Sequence, residues 1–217
     1  MVKGVIFDFN GTLFFDTHLH NQAWDIFLDK HSLKLSDKEK DQKIHGKNNQ
    51  EILTHLFSKE LTLDDIKKLS VEKEDIYQTL CLKSELQLAP GAVNFIAYLA
   101  DKGIPYTIAT ASDLYNLEFY FEYLNLAKYF DFSQIVYSDG TVKSKPNPEI
   151  FIKAMQTIGV HPNSTLIFED SSSGITAAEN SKAEKIVIVN SVNGDYSHWN
   201  HPIISDFTEL DQNILEI

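Results

Sequence analysis

Apolar positions along this chain follow two different periods. Residues 2–9, 106–111, 165–168 and 185–189 form short runs that are continuously apolar or β-branched. That is the pattern of strands buried on both faces of a parallel sheet. Residues 134–138 are expected to add a further short strand. Between the runs the period becomes helical. Residues 91–102 repeat apolar positions at Val93, Ile96, Ala97 and Ala100 before Gly103 stops them. Asn147-Pro148 opens a second helix with Ile150, Phe151, Ala154, Met155 and Ile158 on one face, closed by Gly159.

Residues 16–86 differ from the rest. They contain no β-branched run and no Pro, and their apolar spacing is helical throughout, through Leu19, Ala23, Trp24 and Phe27, then Ile52, Leu53, Leu56 and Phe57. A last helix carries Leu63, Ile66, Leu69, Ile76, Tyr77 and Leu80, with Thr62 at its N-cap position. A helical block of roughly 70 residues between the first two strands is too long for one crossover helix and reads as an inserted lobe. The expected class is α/β, a Rossmann-like core with a mostly parallel sheet plus an inserted helical lobe. Residues 1–15 and 87–217 would form the core and residues 16–86 the lobe. The charge run Lys38-Glu39-Lys40-Asp41 reads as a solvated helix face, Tyr115, Phe119, Tyr120, Phe121 and Tyr123 as core and lobe-facing surface, and residues 199–217 as a strand and helix at the sheet edge.

Composition narrows the functions. The 217 residues, 43% hydrophobic and 23% charged, suit one sizeable soluble core. A formal net charge of −12 argues against a nucleic-acid or anionic-membrane surface, which needs a basic stripe. It leaves room for a small anionic substrate, because a metal and one Lys override the global field locally. The single cysteine, Cys81, excludes a disulfide framework and a Cys-based zinc site and fits a reducing cytoplasm. With no secretory h-region and no membrane-length apolar run, the chain is expected to be cytoplasmic, away from membranes. A monomer is expected, with a dimer left open.

The chemistry lies where strands end. In an open parallel sheet, ligands collect at the C-terminal strand ends near the topological switch point. The first strand delivers Asp8 and, two residues on, Asn10; the second delivers Thr110-Ala111-Ser112; the run at 165–168 delivers Glu169 and Asp170. Lys145 precedes Pro146 at a helix start. Each alone reads blandly, as a helix cap, a turn or a surface Lys. Four on one sheet edge describe a phosphoryl-transfer site. A carboxylate attacks phosphorus to give an acyl phosphate that water then splits, while a hard cation and an ammonium neutralise the phosphoryl charge. Mg²⁺ takes one or two carboxylates and keeps several waters. Asp8 and Asp170 are the obvious pair, with the Asn10 carbonyl as third ligand and Glu169 orienting metal-bound waters. Thr110 and the amides that follow face phosphate oxygens, and Lys145, held extended before Pro146, bridges Asp8 and the phosphate.

The segments Asp8-Phe9-Asn10-Gly11-Thr12-Leu13, Ile108-Ala109-Thr110-Ala111-Ser112, Ser144-Lys145-Pro146-Asn147-Pro148 and Phe168-Glu169-Asp170-Ser171 resemble, in order and spacing, the four motifs of the haloacid dehalogenase-like (HAD) hydrolases. Within them the chain is similar to the β-phosphoglucomutase-like and phosphatase branch, through the helical insert, His20 with Ala23-Trp24, and Pro90-Gly91. The resemblance implies a four-helix cap closing over a small phosphorylated substrate, a sugar phosphate foremost, together with Mg²⁺ dependence and an aspartyl-phosphate intermediate. It implies Asp8 as nucleophile, Thr110 and Lys145 as phosphate contacts, and Asp170 as metal ligand supported by Glu169.

Two positions depart from that pattern. Asn10 stands where the family carries a second Asp as general acid/base, and an amide cannot exchange a proton in that role. Losing such a group typically removes about 10²–10⁴ in rate. His20, on the first helix after the motif, is a candidate proton shuttle. In the segment Gly46-Lys47-Asn48-Asn49-Gln50, Asn49 takes the place of an Arg that grips a second phosphate in the phosphomutase-like pattern, and Lys47 is a nearby substitute. The leading reading is a Mg²⁺-dependent phosphatase slowed by Asn10. The alternatives are a silent phosphate-ligand sensor of the same fold, a phosphoglucomutase-type isomerase, or another reaction of this superfamily such as a phosphonate hydrolase with Lys43 or Lys47 as Schiff base.

Overall fold

The computed structural model describes residues 1–44, 46–57 and 61–215. Five strands, β1 (Gly4–Phe7), β2 (Tyr106–Ile108), β3 (Thr165–Glu169), β4 (Lys185–Val189) and β5 (Ile203–Ile204), form one parallel sheet in the order β2-β1-β3-β4-β5. The chain therefore turns first to one side of β1 and then to the other. That switch point opens a crevice at the C-terminal ends of β1, β2 and β3.

Strand side chains alternate between two cores. Val5, Phe7, Leu166 and Phe168 face one, and Ile6, Ile167 and Ile186 face the other. Phe7 and Phe168, paired in register, stack at 5.3 Å within a cluster that also holds Phe95 and Phe207. Aromatic packing of this kind adds about 0.5–1.5 kcal/mol per pair beyond burial. The α5 helix (Ala92–Asp101) packs on the first core, and α7 (Glu149–Thr157) and α8 (Ser172–Asn180) cover the second.

β1 and β2 are shorter than their apolar runs, whereas β4 matches its run and β3 extends one residue past it. The Asp8 amide still bonds Phe168 O at 2.9 Å, but Phe9 O then accepts from the amides of Thr12, Leu13 and Phe14, closing a turn that ends β1. Residues 134–138 make a single bridge, Ala109 with Val136, rather than a strand. At the C-terminal end the expected helix is replaced by two 3₁₀ turns, Phe207–Glu209 and Gln212–Leu215, after the two-residue β5.

Between β1 and β2 lie α1 (Thr17–Lys30), α2 (Asp37–Lys43), α3 (Asn49–Leu56) and α4 (Leu63–Cys81). They enclose their own apolar cluster of Trp24, Phe27, Ile44, Ile52 and Leu53. Thr62 caps α4 with a reciprocal bond to Asp65, as the sequence predicts. Lys40 corrects the solvated-face reading of its charge run. It is buried and pairs with Asp25 on α1 at 2.6 Å, tying α2 down. The insert meets the rest of the fold through α6 (Leu114–Tyr123). There Tyr115 donates to Asp75 at 2.6 Å and Asn116 to Glu74 at 2.7 Å, while Phe119 and Tyr120 are buried and Tyr115 and Tyr123 lie exposed. Among the described residues, no helix is long and apolar enough to cross a membrane.

Candidate active site

A cavity of about 790 Å³ lies between the C-terminal sheet edge and the helical insert. Asp8, Asn10, His20, Lys47, Thr110, Ala111, Ser112 and Asp170 all line it. Lys145 and Glu169 lie beneath its floor, 1% and 0% exposed. The Lys145 ammonium donates to Asp8 Oδ1 at 2.5 Å and to Glu169 Oε1. Glu169 Oε2 accepts from the amides of Asp170 and Ser171, both at 2.8 Å, and from the Ser171 hydroxyl at 3.1 Å. Both Glu169 oxygens are thus engaged in fixing Lys145 and the turn that carries Asp170. Lys145 lies in a turn and precedes a cis bond to Pro146.

Glycine is required twice here. Gly11 sits at φ +82°, and a Cβ there would lie 2.1 Å from Asp170 Oδ2. A Cβ on Gly174 would lie 1.7 Å from Glu169 Oε1. Both close approaches bring carboxylates inward.

Carboxylate oxygens of Asp8, Glu169 and Asp170 lie within 4.8 Å of one another, with the Lys145 ammonium on two of them. Burial, then Glu169, push the Asp8 carboxyl up to about 7 despite Lys145, and burial, Glu169 and Asp8 push Asp170 well above its ordinary value. Such an excess of buried negative charge fits a divalent cation. Asp8 and Asp170, which line the cavity, could hold such a cation there, whereas Glu169 is engaged by Lys145 and backbone amides.

Around Thr110, Ser112 and Asn10 the groups hold one another. The Ser112 amide donates to Thr110 Oγ1 at 3.1 Å, and its hydroxyl to Asn10 Oδ1 at 2.7 Å. The Asn10 amide donates to Asp16 Oδ2 at 2.6 Å and to Tyr120 Oη at 2.8 Å.

Asp16, 0% exposed, is the residue that sequence reasoning missed. Its carboxylate also accepts from the Gly11 amide at 3.0 Å, from the Tyr77 hydroxyl and from His20 Nε2 at 3.3 Å. Burial alone would raise its pKa, but His20, Tyr77 and Asn10 outweigh burial and hold it below the usual value. The only signal was an Asp beside the helix start, which reads as a cap. In fact its side chain makes no cap bond to α1. His20 is likewise not simply solvated. It stacks on Tyr77 at 3.8 Å, and Lys73 donates to its Nδ1 at 2.9 Å, so Nε2 carries the proton toward Asp16. Both ring nitrogens are occupied. Lys73 and Glu74, on α4, also went unrecognised because each alone looks like an exposed helix charge.

Comparison with known proteins places these features in context. Residues 2–182 match the model of the family described as haloacid dehalogenase-like hydrolase. The chain is 28% identical over 88% of its length, and 88% of the relative's, to a phosphorylated carbohydrates phosphatase of Thermotoga maritima. It superposes on the crystal structure of a HAD hydrolase, family IA, variant 3, from Entamoeba histolytica with TM-score 0.86 and 33% identity, covering 99% and 97% of the two chains. A β-phosphoglucomutase from Clostridium difficile, 21% identical, shares the fold with TM-score 0.81 over 98% and 95% of the chains.

Proposed function

This chain belongs to the haloacid dehalogenase-like hydrolases, and on that premise we propose that it is a Mg²⁺-dependent phosphatase of a small phosphorylated metabolite, acting through an aspartyl-phosphate on Asp8. The observation that carries this reading is the buried Lys145 bridging Asp8 and Glu169 under a cavity whose floor gathers three carboxylates. The name of the Thermotoga relative supports a phosphorylated carbohydrate as substrate.

In this reading a carboxylate oxygen of Asp8 attacks phosphorus, the bond from phosphorus to the ester oxygen breaks, and the acyl phosphate is then split by water, returning Asp8 and inorganic phosphate. Asp8 and Asp170 would hold Mg²⁺, which when bound would supply neutralisation of the phosphoryl charge. Lys145 holds Asp8 in place and lowers the repulsion between it and the incoming anion. Thr110 and Ser112 line the corner where phosphoryl oxygens sit. Asn10 transfers no proton, so the leaving oxygen takes its proton from cavity water, which slows turnover relative to a carboxyl at that position.

The test is hydrolysis of p-nitrophenyl phosphate and a panel of sugar phosphates with Mg²⁺. Turnover is expected for the wild type, abolished by EDTA and by Asp8→Ala. Activity that persists in Asp8→Ala, or after exhaustive chelation, would overturn the assignment. Phosphate binding without turnover would favour the silent-sensor reading.

A further inference from the structure

One wall of the cavity that Asp8 lines is held by a closed network. Lys73, 2% exposed, donates to Glu74 Oε1 and Oε2 at 3.0 and 3.1 Å and to His20 Nδ1 at 2.9 Å. Its charge is cancelled by a buried carboxylate and its donors are engaged. The Glu74 oxygens accept in addition from the amides of Asn49 and Asn116, each at 2.7 Å. Asp113, at the start of α6, lines the same space, and burial with the nearby Glu74 raises its pKa. Glu118 and Asp139 also line the cavity. Among the described lining residues the other lysines are Lys47, half-buried, and Lys67, exposed. Water and salt weaken charges placed that way.

The interior of this wall therefore offers carboxylates and amides, with its one buried cation already committed. A second anionic group on a bound substrate would leave water to face a Lys73–Glu74 pair that is already neutral and the Asp113 carboxylate, a penalty that hydroxyls avoid. Hydroxyls can exchange hydrogen bonds with the Asn49 and Asn116 amides, and an ammonium would gain from the carboxylates.

We propose that the substrate is a monophosphate ester whose leaving group carries no negative charge, a polyol or an amine-bearing polyol, and that this wall rejects a second phosphate or a carboxylate. The proposal rests on the phosphatase reading above and adds the chemical class of its substrate. One net charge met across a half-buried cavity corresponds to an effect on the order of tenfold.

The experiment is competition against p-nitrophenyl phosphate hydrolysis, at fixed free Mg²⁺, by four six-carbon probes: glucose 6-phosphate, glucosamine 6-phosphate, 6-phosphogluconate and glucose 1,6-bisphosphate. Glucosamine 6-phosphate is expected to inhibit at least as tightly as glucose 6-phosphate, and the two further-charged probes at least about tenfold more weakly. Asn49→Lys, which adds an ammonium at the wall, is expected to close that gap. Equal or tighter inhibition by 6-phosphogluconate or the bisphosphate overturns the proposal, as does an unchanged ratio in Asn49→Lys or no competition by any probe. In each of those cases Asp8-dependent p-nitrophenyl phosphate hydrolysis leaves the phosphatase reading standing; its absence removes both.

Discussion

Asn10→Asp exchanges an amide donor for a second carboxylate beside a buried first one. In the folded protein the Asn10 amide lies 2.6 Å from Asp16 Oδ2 and 2.8 Å from Tyr120 Oη. Two unit charges at that separation repel by about 6 kcal/mol at an effective dielectric of roughly 20. The variant has a cheaper escape, which is to take up a proton. Holding one carboxyl protonated at about pH 7 costs about 1.4 kcal/mol per pH unit above its unfolded value near 3.9, or about 4 kcal/mol. The smaller penalty wins, so Asn10→Asp is expected to lose about 2–4 kcal/mol at about pH 7, after relaxation. The native variant keeps a proton that its unfolded chain has released above about pH 4, so its stability falls as pH rises from there to neutrality. At about pH 5 the deficit should shrink to about 1.5 kcal/mol. Urea unfolding at the two pH values measures both numbers. The double exchange Asn10→Asp/Asp16→Asn restores one amide facing one carboxylate and should recover most of the loss, a coupling of at least about 2 kcal/mol. The rate gain that the family pattern implies for an acid at position 10 is then expected in the double exchange rather than in Asn10→Asp alone. An Asn10→Asp protein as stable as the wild type at both pH values would refute the reasoning.

Mg²⁺ should raise the melting temperature, since a ligand of the native state at 100 times its Kd stabilises by about 2.7 kcal/mol. Asp170→Asn should remove most of that shift in a calorimetric scan. Gly174→Ala places a Cβ 1.7 Å from Glu169 Oε1 and should displace Glu169 from Lys145; breaking a buried pair costs about 3–5 kcal/mol, readable by denaturant titration, and wild-type stability would contradict it. Burial pushes the Cys81 thiol up to about 12, so a disulfide reagent at about pH 8 should label no thiol in the native protein and one after denaturation.

Period and punctuation along the chain were enough to place the parallel core, the helical insert and the strand-end residues, because each is a local consequence of backbone geometry. Val5 and Phe7 against Ile6 alternate across the sheet, and the apolar run that Asp8 interrupts ends at the switch point of the sheet. Gly11 follows from the turn itself. What distance along the chain conceals came only with the fold. Asp16 and Asn10 meet Tyr77 and Tyr120 across separations of 61 and 110 residues, and Lys73 finds His20 across 53. An Asp beside a helix start, a Lys-Glu step on an amphipathic helix and a lone His carry no mark of burial in the sequence. Their burial, and with it the charge of the cavity wall, was decided by α1 and α4 closing on α6, where each polar group had to find a partner once water was gone.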